Sequence, residues 1–504
     1  MSTVPVALMY AAQEFADVEA VVDPRYGVRH TYARLLWRVR RVAQLLVEEG
    51  VRPGDRVAIC SPNTYHWVEA ALGILYAGAT LVPVNTRFTG PEMFDVVKRS
   101  NAKALFVAGP FLGRNRLDEL RAAGEHKLHP VIRIPVEGTR PGWPDVDRRP
   151  LSIVEADDLA VAVSDDDVSD ILFTSGTTGR SKGAMSAHRQ SVGVAAAWAE
   201  CAGLTTGDRY LVINPFFHSF GYKAGILACL VRGATIVPQL TFDVGQAMRL
   251  VEQERITVLP GAPTIYQTIL GRPDRTMHDL SSLRLAVTGA ATVPVALVER
   301  MQRELSIDHV LTAYGLTEAV VATMCRPDDD AATVAGTSGR PAAGMEVRIA
   351  GENGEILLRG PNVMLGYLDD EQATKEAIDA GGWLHTGDVG RLDERGYLMI
   401  TDRLKDLYIC GGFNVYPAEV EQVLARLDGL AESAVVGVPD ERLGEVGKAF
   451  VITAPGHTLS TEDVLAHCRA RLANYKVPRL VEFRTSLPRN PSGKVLKRLL
   501  RSTA

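Results

Sequence analysis

The chain has 504 residues, more than one hydrophobic core normally supports, so at least two domains are expected. A hydrophobic content of 46% and a charged content of 23% are those of a globular protein in water, and a net charge of -5 gives no basic footprint for nucleic acid. The opening Met1-Ser2-Thr3-Val4-Pro5 lacks the regions of an export signal, and no run of about 20 apolar residues offers a membrane span. A cytoplasmic location is therefore expected. Cys60, Cys201, Cys229, Cys325, Cys410 and Cys468 are scattered without metal-site spacing and read as reduced core thiols.

In chain order, Leu35, Leu36, Val39, Val42, Ala43, Leu45 and Leu46 recur at helical spacing, with Thr31 as N-cap and Gly50 as stop. A strand Arg56 to Cys60, a helix Tyr65 to Tyr76 and a strand Thr80 to Val84 follow. This alternation implies a mostly parallel sheet covered by helices. Arg34, Arg38, Arg40 and Arg41 read as a solvated helix face, and Val136 to Asp158 as a surface connection.

The apolar strand Ile171-Leu172-Phe173 runs into Thr174-Ser175-Gly176-Thr177-Thr178-Gly179-Arg180-Ser181-Lys182-Gly183. Glycines admit an anion close to the backbone, successive N–H groups and hydroxyls supply donors, and Arg180 and Lys182 add positive charge. The stretch reads as a polyphosphate cradle, richer in hydroxyls and cations than a plain turn. Lys182 lacks the glycine before it and the hydroxyl after it that a Walker A loop requires, and Gly183-Ala184-Met185 reads as the chain re-entering a sheet.

Beyond it, Asn214 to Lys223 sets aromatics around His218. The histidine is either a satisfied core residue or part of an acid pocket, and Lys223 meets either a polar group of the acid or solvent. A strand Leu283 to Thr288 leads into Gly289-Ala290-Ala291, small enough for a flat ring to lie on the backbone. Tyr314-Gly315-Leu316-Thr317-Glu318 ends in a hydroxyl and a carboxylate, and Glu318 is either a surface group or a Mg²⁺ ligand. Tyr397 to Thr401 reads as a strand and Asp402 to Asp406 as a charged link. A compact α+β unit follows, with one helix starting at Pro417, where Glu419 and Glu421 favour the positive helix end, and another capped by Ser460.

The order of these stretches, continued by Trp383-Leu384-His385-Thr386-Gly387-Asp388, Asp402-Arg403-Leu404-Lys405-Asp406, Gly411-Gly412-Phe413-Asn414-Val415-Tyr416-Pro417-Ala418-Glu419 and Pro488-Arg489-Asn490-Pro491-Ser492-Gly493-Lys494, resembles the adenylate-forming acyl-CoA synthetases from about Thr31 to Lys494. The resemblance implies an α/β fold. An N-terminal ATP- and acid-binding domain, residues 1–402, would combine parallel-sheet subdomains with a small β-barrel. A mobile α+β domain, residues 403–504, would swing about a hinge near Lys405. It implies ATP, Mg²⁺ and CoA as the reaction's partners beside a carboxylic acid.

By the same resemblance, Thr174, Ser175, Gly176, Thr177, Thr178, Gly179 and Lys182 would hold phosphates, with Thr178 and Glu318 near Mg²⁺. Gly289, Ala290, Ala291, Tyr314 and Gly315 would line adenine, Thr317 would contact the α-phosphate, Asp388 the ribose, and Arg403 the nucleotide. Phe217, His218, Tyr222 and Val320 would form the acyl pocket, with His218 as its gate. Lys494 would serve the adenylation step, and Gly411 and Gly412 the CoA step.

Val168 to His188 and Tyr210 to Gly225 are most similar to actinobacterial ligases of the fatty-acid and steroid degradation group. They imply a steroid-derived ring propanoate as the acid, with a medium-chain or aromatic acid as the rival. A separate carrier protein in place of CoA, a non-catalytic adenylate sensor and a P-loop ATPase stand as further alternatives. The sequence gives no oligomeric state, and a homodimer is an open expectation.

Overall fold

The computed structural model describes residues 2–136, 143, 146, 153–174, 181–289, 293–351, 353–403, 406–410, 413–489 and 495–501. Three sheets build the larger part of the chain. The first has seven strands in the order Gly366–Tyr367, Gly183–Ala187, Val168–Phe173, Thr80–Pro83, Arg56–Cys60, Ala104–Ala108, Val131–Ile134. The last five run parallel, and Gly183–Ala187 and Gly366–Tyr367 are antiparallel additions at one edge. Helix Tyr65–Tyr76 is buried along its whole length, as its apolar composition on every face requires.

The second sheet carries the order Val28–Thr31, Glu19–Asp23, Thr235–Pro238, Arg209–Val212. Single bridges from Val258 to Tyr210 and to Leu285 join it to Leu285–Thr288, His309–Leu316, Ala319–Met324 and Arg340–Pro341. From Glu19–Asp23 through to His309–Leu316 the pairing is parallel, so these strands end on one common edge. Segments Asn214–His218 and Gly289 both leave from it, where ligands of open α/β sheets bind.

A third, antiparallel sheet contains Glu346–Ala350, Glu355–Arg359, Leu384–Leu392 and Leu398–Arg403. Its last strand is tied to the chain entering Arg340–Pro341 by Ser338 N–H to Leu398 O (2.7 Å) and Leu398 N–H to Gly339 O (2.8 Å). A separate core of Tyr408, Val420, Val435, Phe450, Val464 and Leu500 organises the C-terminal part. There, strands Leu430–Asp440 and Gly444–Thr453 pack against helices Pro417–Leu424 and Thr461–Arg469. All six cysteines are buried and unbridged. No helix among the described residues is long and apolar enough to cross a membrane.

Thr31 caps helix Tyr32–Glu48 as expected, its hydroxyl accepting from Arg34 N–H at 3.2 Å. Of the arginines of that helix only Arg34 is exposed as expected; Arg38, Arg40 and Arg41 do not form a solvated face. Arg38 is buried against Glu69 at 3.1 Å, Arg40 pairs with Asp157 at 2.6 Å, Arg41 donates to Val146 O, and Arg34 stacks on Trp37. Their long stems follow the helix down to acidic and carbonyl partners that only the tertiary fold supplies. The connection after Val136 is also not wholly superficial, since Trp143 is buried and Ile153–Ala162 is helical. The strand expected at Tyr397 to Thr401 runs on to Arg403, so the expected charged link begins inside it. Glu421, expected at a helix end, is half-buried, ion-paired with Lys497 at 2.8 Å and bonded to Val435 N–H.

Asp23 ends its strand 3% exposed and accepts the Tyr65 N–H at 3.1 Å, opposite the start of the buried helix. Burial pushes its carboxyl up to about 7, against the smaller opposing pull of backbone donors. The folded protein therefore favours the neutral form, and that contribution to stability is full below the ordinary value of 3.8 and lost as pH rises through about 7. Asp23→Asn keeps the acceptor and removes the titration. Its thermal midpoint should gain on the wild type between pH 5 and 8, by an amount equivalent to about 2–4 kcal/mol. A difference that stays constant with pH would contradict this account.

Candidate active site

Strands Val168–Phe173 and Gly183–Ala187 pair antiparallel with Phe173 opposite Gly183, so the glycine- and hydroxyl-rich stretch is the turn of a hairpin. Its neck is closed by Thr174 N–H donating to Lys182 O at 2.8 Å and braced by Arg99 Nη1 on Ser181 O at 2.5 Å. A Cβ on Gly183 would lie 2.9 Å from Ile171 Cγ2, which explains the glycine where the chain re-enters the sheet. Ser175, Gly176, Thr177, Thr178 and Gly179 lie outside the described residues, as do Ala290, Ala291, Lys405, Gly411, Gly412 and Lys494.

The edge strand Gly366–Tyr367 lies beside Gly183–Ala187 and brings a residue that sequence reading missed. The Tyr367 hydroxyl donates to Glu318 Oε1 at 2.7 Å, while Lys182 Nζ sits 4.9 Å from the centre of the same ring. Burial, then the neighbouring Glu318 charge, raises the Tyr367 pKa well above its ordinary value, so it stays a donor. Thr317 and Glu318 are the two residues of a tight hairpin turn, because Leu316 pairs with Ala319. Gly315 is needed in that turn, since a Cβ there would stand 2.0 Å from Val320 O.

On the preceding strand, Tyr314 donates its hydroxyl to Asp388 Oδ2 at 2.7 Å. Asp388 is 4% exposed, and its strand register sets it opposite Arg403. Gly289 follows the neighbouring strand, where a Cβ would meet Ala313 O at 3.0 Å. Gly289, Tyr314, Asp388 and the backbone of Arg403 are thus successive points of one surface, and Lys182, Tyr367 and Glu318 form a second group across the hairpin turn.

The acyl-wall segment is held by another residue that the sequence did not single out. Asn63 accepts Phe216 N–H at 2.8 Å and donates to Asn214 O at 2.9 Å and Val212 O at 3.2 Å. His218 Nδ1 accepts Phe220 N–H at 3.2 Å and caps the short turn Ser219–Gly221. The residue keeps contact with solvent, and desolvation by the surrounding protein lowers its pKa and favours the neutral form. Gly221 allows the turn to lie on Asn214–Pro215, since a Cβ would fall 2.3 Å from Pro215 O. Phe217 and Val320 are half-buried and Tyr222 is buried.

Lys223 follows Tyr222 in a π-helical segment, Tyr222–Leu227, a form frequent at functional sites. It meets neither solvent nor an open pocket. Its ammonium, 1% exposed, lies 2.9 Å from Asp170 Oδ1 and donates to Ser186 Oγ at 2.8 Å. Asp170 Oδ2 also accepts from Ser169 and Ser191, both at 2.7 Å. Asp170 and Ser186 stand on the two strands of the hairpin, so this network fastens the segment after His218 to the base of that hairpin. The signal in the sequence was an Asp directly before the apolar run Ile171-Leu172-Phe173 and a Lys in an apolar helix.

Residues 8–368 match the family model of the AMP-binding enzymes, and residues 419–494 that of the AMP-binding enzyme C-terminal domain. The chain belongs to the AMP-binding enzyme family and is an acid–thiol ligase that uses ATP and CoA. It is 64% identical, over 99% of its length and 98% of the relative's, to a 3-[(3aS,4S,7aS)-7a-methyl-1,5-dioxo-octahydro-1H-inden-4-yl]propanoyl:CoA ligase of Rhodococcus jostii (strain RHA1). A protein of the same name from Mycobacterium tuberculosis (strain ATCC 25618 / H37Rv) is 58% identical over 99% of both chains. Among solved structures, the anthranilate CoA ligase AuaEII in complex with anthranoyl-AMP superposes with a TM-score of 0.87 at 27% identity, over 100% of this chain and 97% of that one. ATP-bound MatB from Rhodopseudomonas palustris gives 0.83 at 31% identity, over 99% of each.

Lys223→Met should be strongly destabilising, by about 3–5 kcal/mol, because it strands the Asp170 charge in the interior. Adding Asp170→Leu should restore most of that loss. Denaturation of the two variants checks this, and a double variant no more stable than the single one would show that the pair is not the cause.

Proposed function

We propose that the protein joins a ring-bearing propanoate to CoA at the expense of ATP, the acid being a methyl-dioxo-octahydroindenyl propanoate of the kind left by steroid breakdown. The observation that carries this reading is the 64% and 58% identity, across nearly the whole chain, to two relatives bearing that one name. In the first step the acid's carboxylate attacks the α-phosphorus of ATP, forming acyl-AMP and releasing pyrophosphate. In the second, the CoA thiol attacks the acyl carbon, a C–S bond forms and AMP leaves. The thiol proton is lost to solvent, since a thiol of pKa about 8.5 has a small thiolate fraction at neutral pH.

The main obstacle in the first step is bringing two anions together. The hairpin turn with Thr174, Thr178 and Lys182 takes the phosphates, and Lys494 takes the carboxylate and bridging oxygens. Losing such a charged contact costs on the order of 10²- to 10³-fold in rate. Gly289 to Ala291 and Tyr314 hold adenine, Asp388 and Arg403 the ribose and nucleotide, and Thr317 the α-phosphate. The donor set fits Mg²⁺: Glu318, oriented by Tyr367, and the Thr178 hydroxyl would offer the hard oxygens such an ion takes beside substrate phosphates. The metal would supply charge neutralisation at the phosphates.

Residues 403–504 form a mobile unit hinged at Lys405, presenting Lys494 for the first step and Gly411-Gly412 for the second. The unbridged thiols accord with a cytoplasmic location.

AMP and pyrophosphate release, measured over a panel of acids with and without CoA, should require both the dioxo-ring propanoate and CoA. Better turnover of a medium-chain or aromatic acid would refute the assigned substrate, and acid-dependent pyrophosphate release without CoA product would refute CoA as acceptor. Lys405→Pro should preserve acid-dependent exchange of pyrophosphate into ATP and lower thioester formation about tenfold or more. Equal loss of both activities would remove the hinge from Lys405.

A further inference from the structure

Buried donors without acceptors are rare in folded proteins, and each needs an account. Two of them meet on the acyl wall. Tyr222 is fully buried, and its hydroxyl has no hydrogen-bond partner among the described residues. The same holds for the indole N–H of Trp67. Their ring centroids lie 5.9 Å apart, edge to face, and Trp67 is 5.2 Å from Phe216, next to Phe217 and His218.

Phenylalanine at either position would fill most of the same space without burying a polar atom. Leaving a hydroxyl or indole N–H buried and unsatisfied is destabilising, so packing alone does not explain the choice. Neither donor is loosely held. Tyr222 opens the π-helical segment whose next residue, Lys223, is pinned to Asp170 and Ser186, and Trp67 sits in the buried helix Tyr65–Tyr76. Burial, and then the Asp170 charge, keeps the Tyr222 hydroxyl protonated.

We propose that the Tyr222 hydroxyl and the Trp67 N–H are specificity-determining donors to carbonyl oxygens on the ring system of the acid, remote from its carboxylate. This rests on the acid class proposed above. The acid named for the relatives carries two oxo groups on an otherwise hydrocarbon bicycle, and two buried, unsatisfied donors lie together among the aromatic rings behind the segment that carries Phe217 and His218. A site built to hydrogen-bond a substrate rejects the analogue that lacks the bonding group, because its buried donors then stay unpaired.

The test compares kcat/KM of the full chain for the dioxo-ring propanoate and for the same bicyclic propanoate with both oxo groups replaced by CH₂. The wild type should favour the dioxo acid. Tyr222→Phe should lower kcat/KM for the dioxo acid about 10- to 100-fold and leave the deoxo acid within about twofold. Trp67→Phe should act in the same direction. Equal losses on both acids would assign the two residues a purely structural role and overturn the inference, as would an unchanged rate on the dioxo acid. Failure of the wild type to use the dioxo acid would overturn the proposed substrate and this inference with it. The two failures are read from different proteins, wild type and variant.

Discussion

The buried ion pair between Lys223 and Asp170 fixes the relation of the glycine-rich hairpin to the segment that follows His218. A charge pair this deep gains little net stability over an apolar pair of equal volume, because desolvation offsets most of the attraction. Its effect is geometric. Asp170 lies on the strand entering the phosphate loop, Ser186 on the strand leaving it, and Lys223 on the helix behind the acyl wall. An ammonium that must satisfy its bonds inside the protein has few places to go, so the helix is held in one register against the hairpin. The i→i+5 winding at Tyr222–Leu227 accompanies that attachment.

The second sheet gathers a further set of segments by pairing rather than by charge. Parallel pairing brings Asn214–His218, Gly289 and Tyr314 to the same edge from positions far apart in sequence. Backbone approaches too close for a side chain occur at Gly221, Gly289 and Gly315. Those glycines make close contact between neighbouring segments of the edge, and the loops there rest on strands instead of standing free.

Much of this was legible in the sequence where local physics decides. Strand Arg56–Cys60 and helix Tyr65–Tyr76 have the expected bounds, and Thr31 and Ser460 cap the helices they were expected to cap. The hairpin around the phosphate loop followed from apolar runs on both sides of a glycine-rich turn. What could not be read was pairing across long separations. Arg38, Arg40 and Arg41 looked like a hydrated stripe because Glu69, Asp157 and Val146 are distant in sequence. Lys223 looked ambiguous for the same reason, its partner lying 53 positions earlier by residue number. Asn63 and Tyr367 carry no motif at all, and their importance appears only in what they join.

Tyr367 shows how such a junction can matter for charge. Lys182 and Glu318 are opposite charges on neighbouring segments, and no direct ion pair forms between them among the described residues. The phenol stands between, its ring face turned to the ammonium and its hydroxyl bonded to the carboxylate. A cation on a tyrosine face gains roughly 0.5–1 kcal/mol at a partly exposed site, less than a phosphate offers it, and one neutral hydrogen bond leaves the carboxylate's other oxygen available. Had the two side chains paired directly, each would have to break a salt bridge before meeting a phosphate or a hard cation. Interposing a neutral donor keeps both charges oriented and unpaired with each other, which leaves each ready for an incoming group of opposite charge.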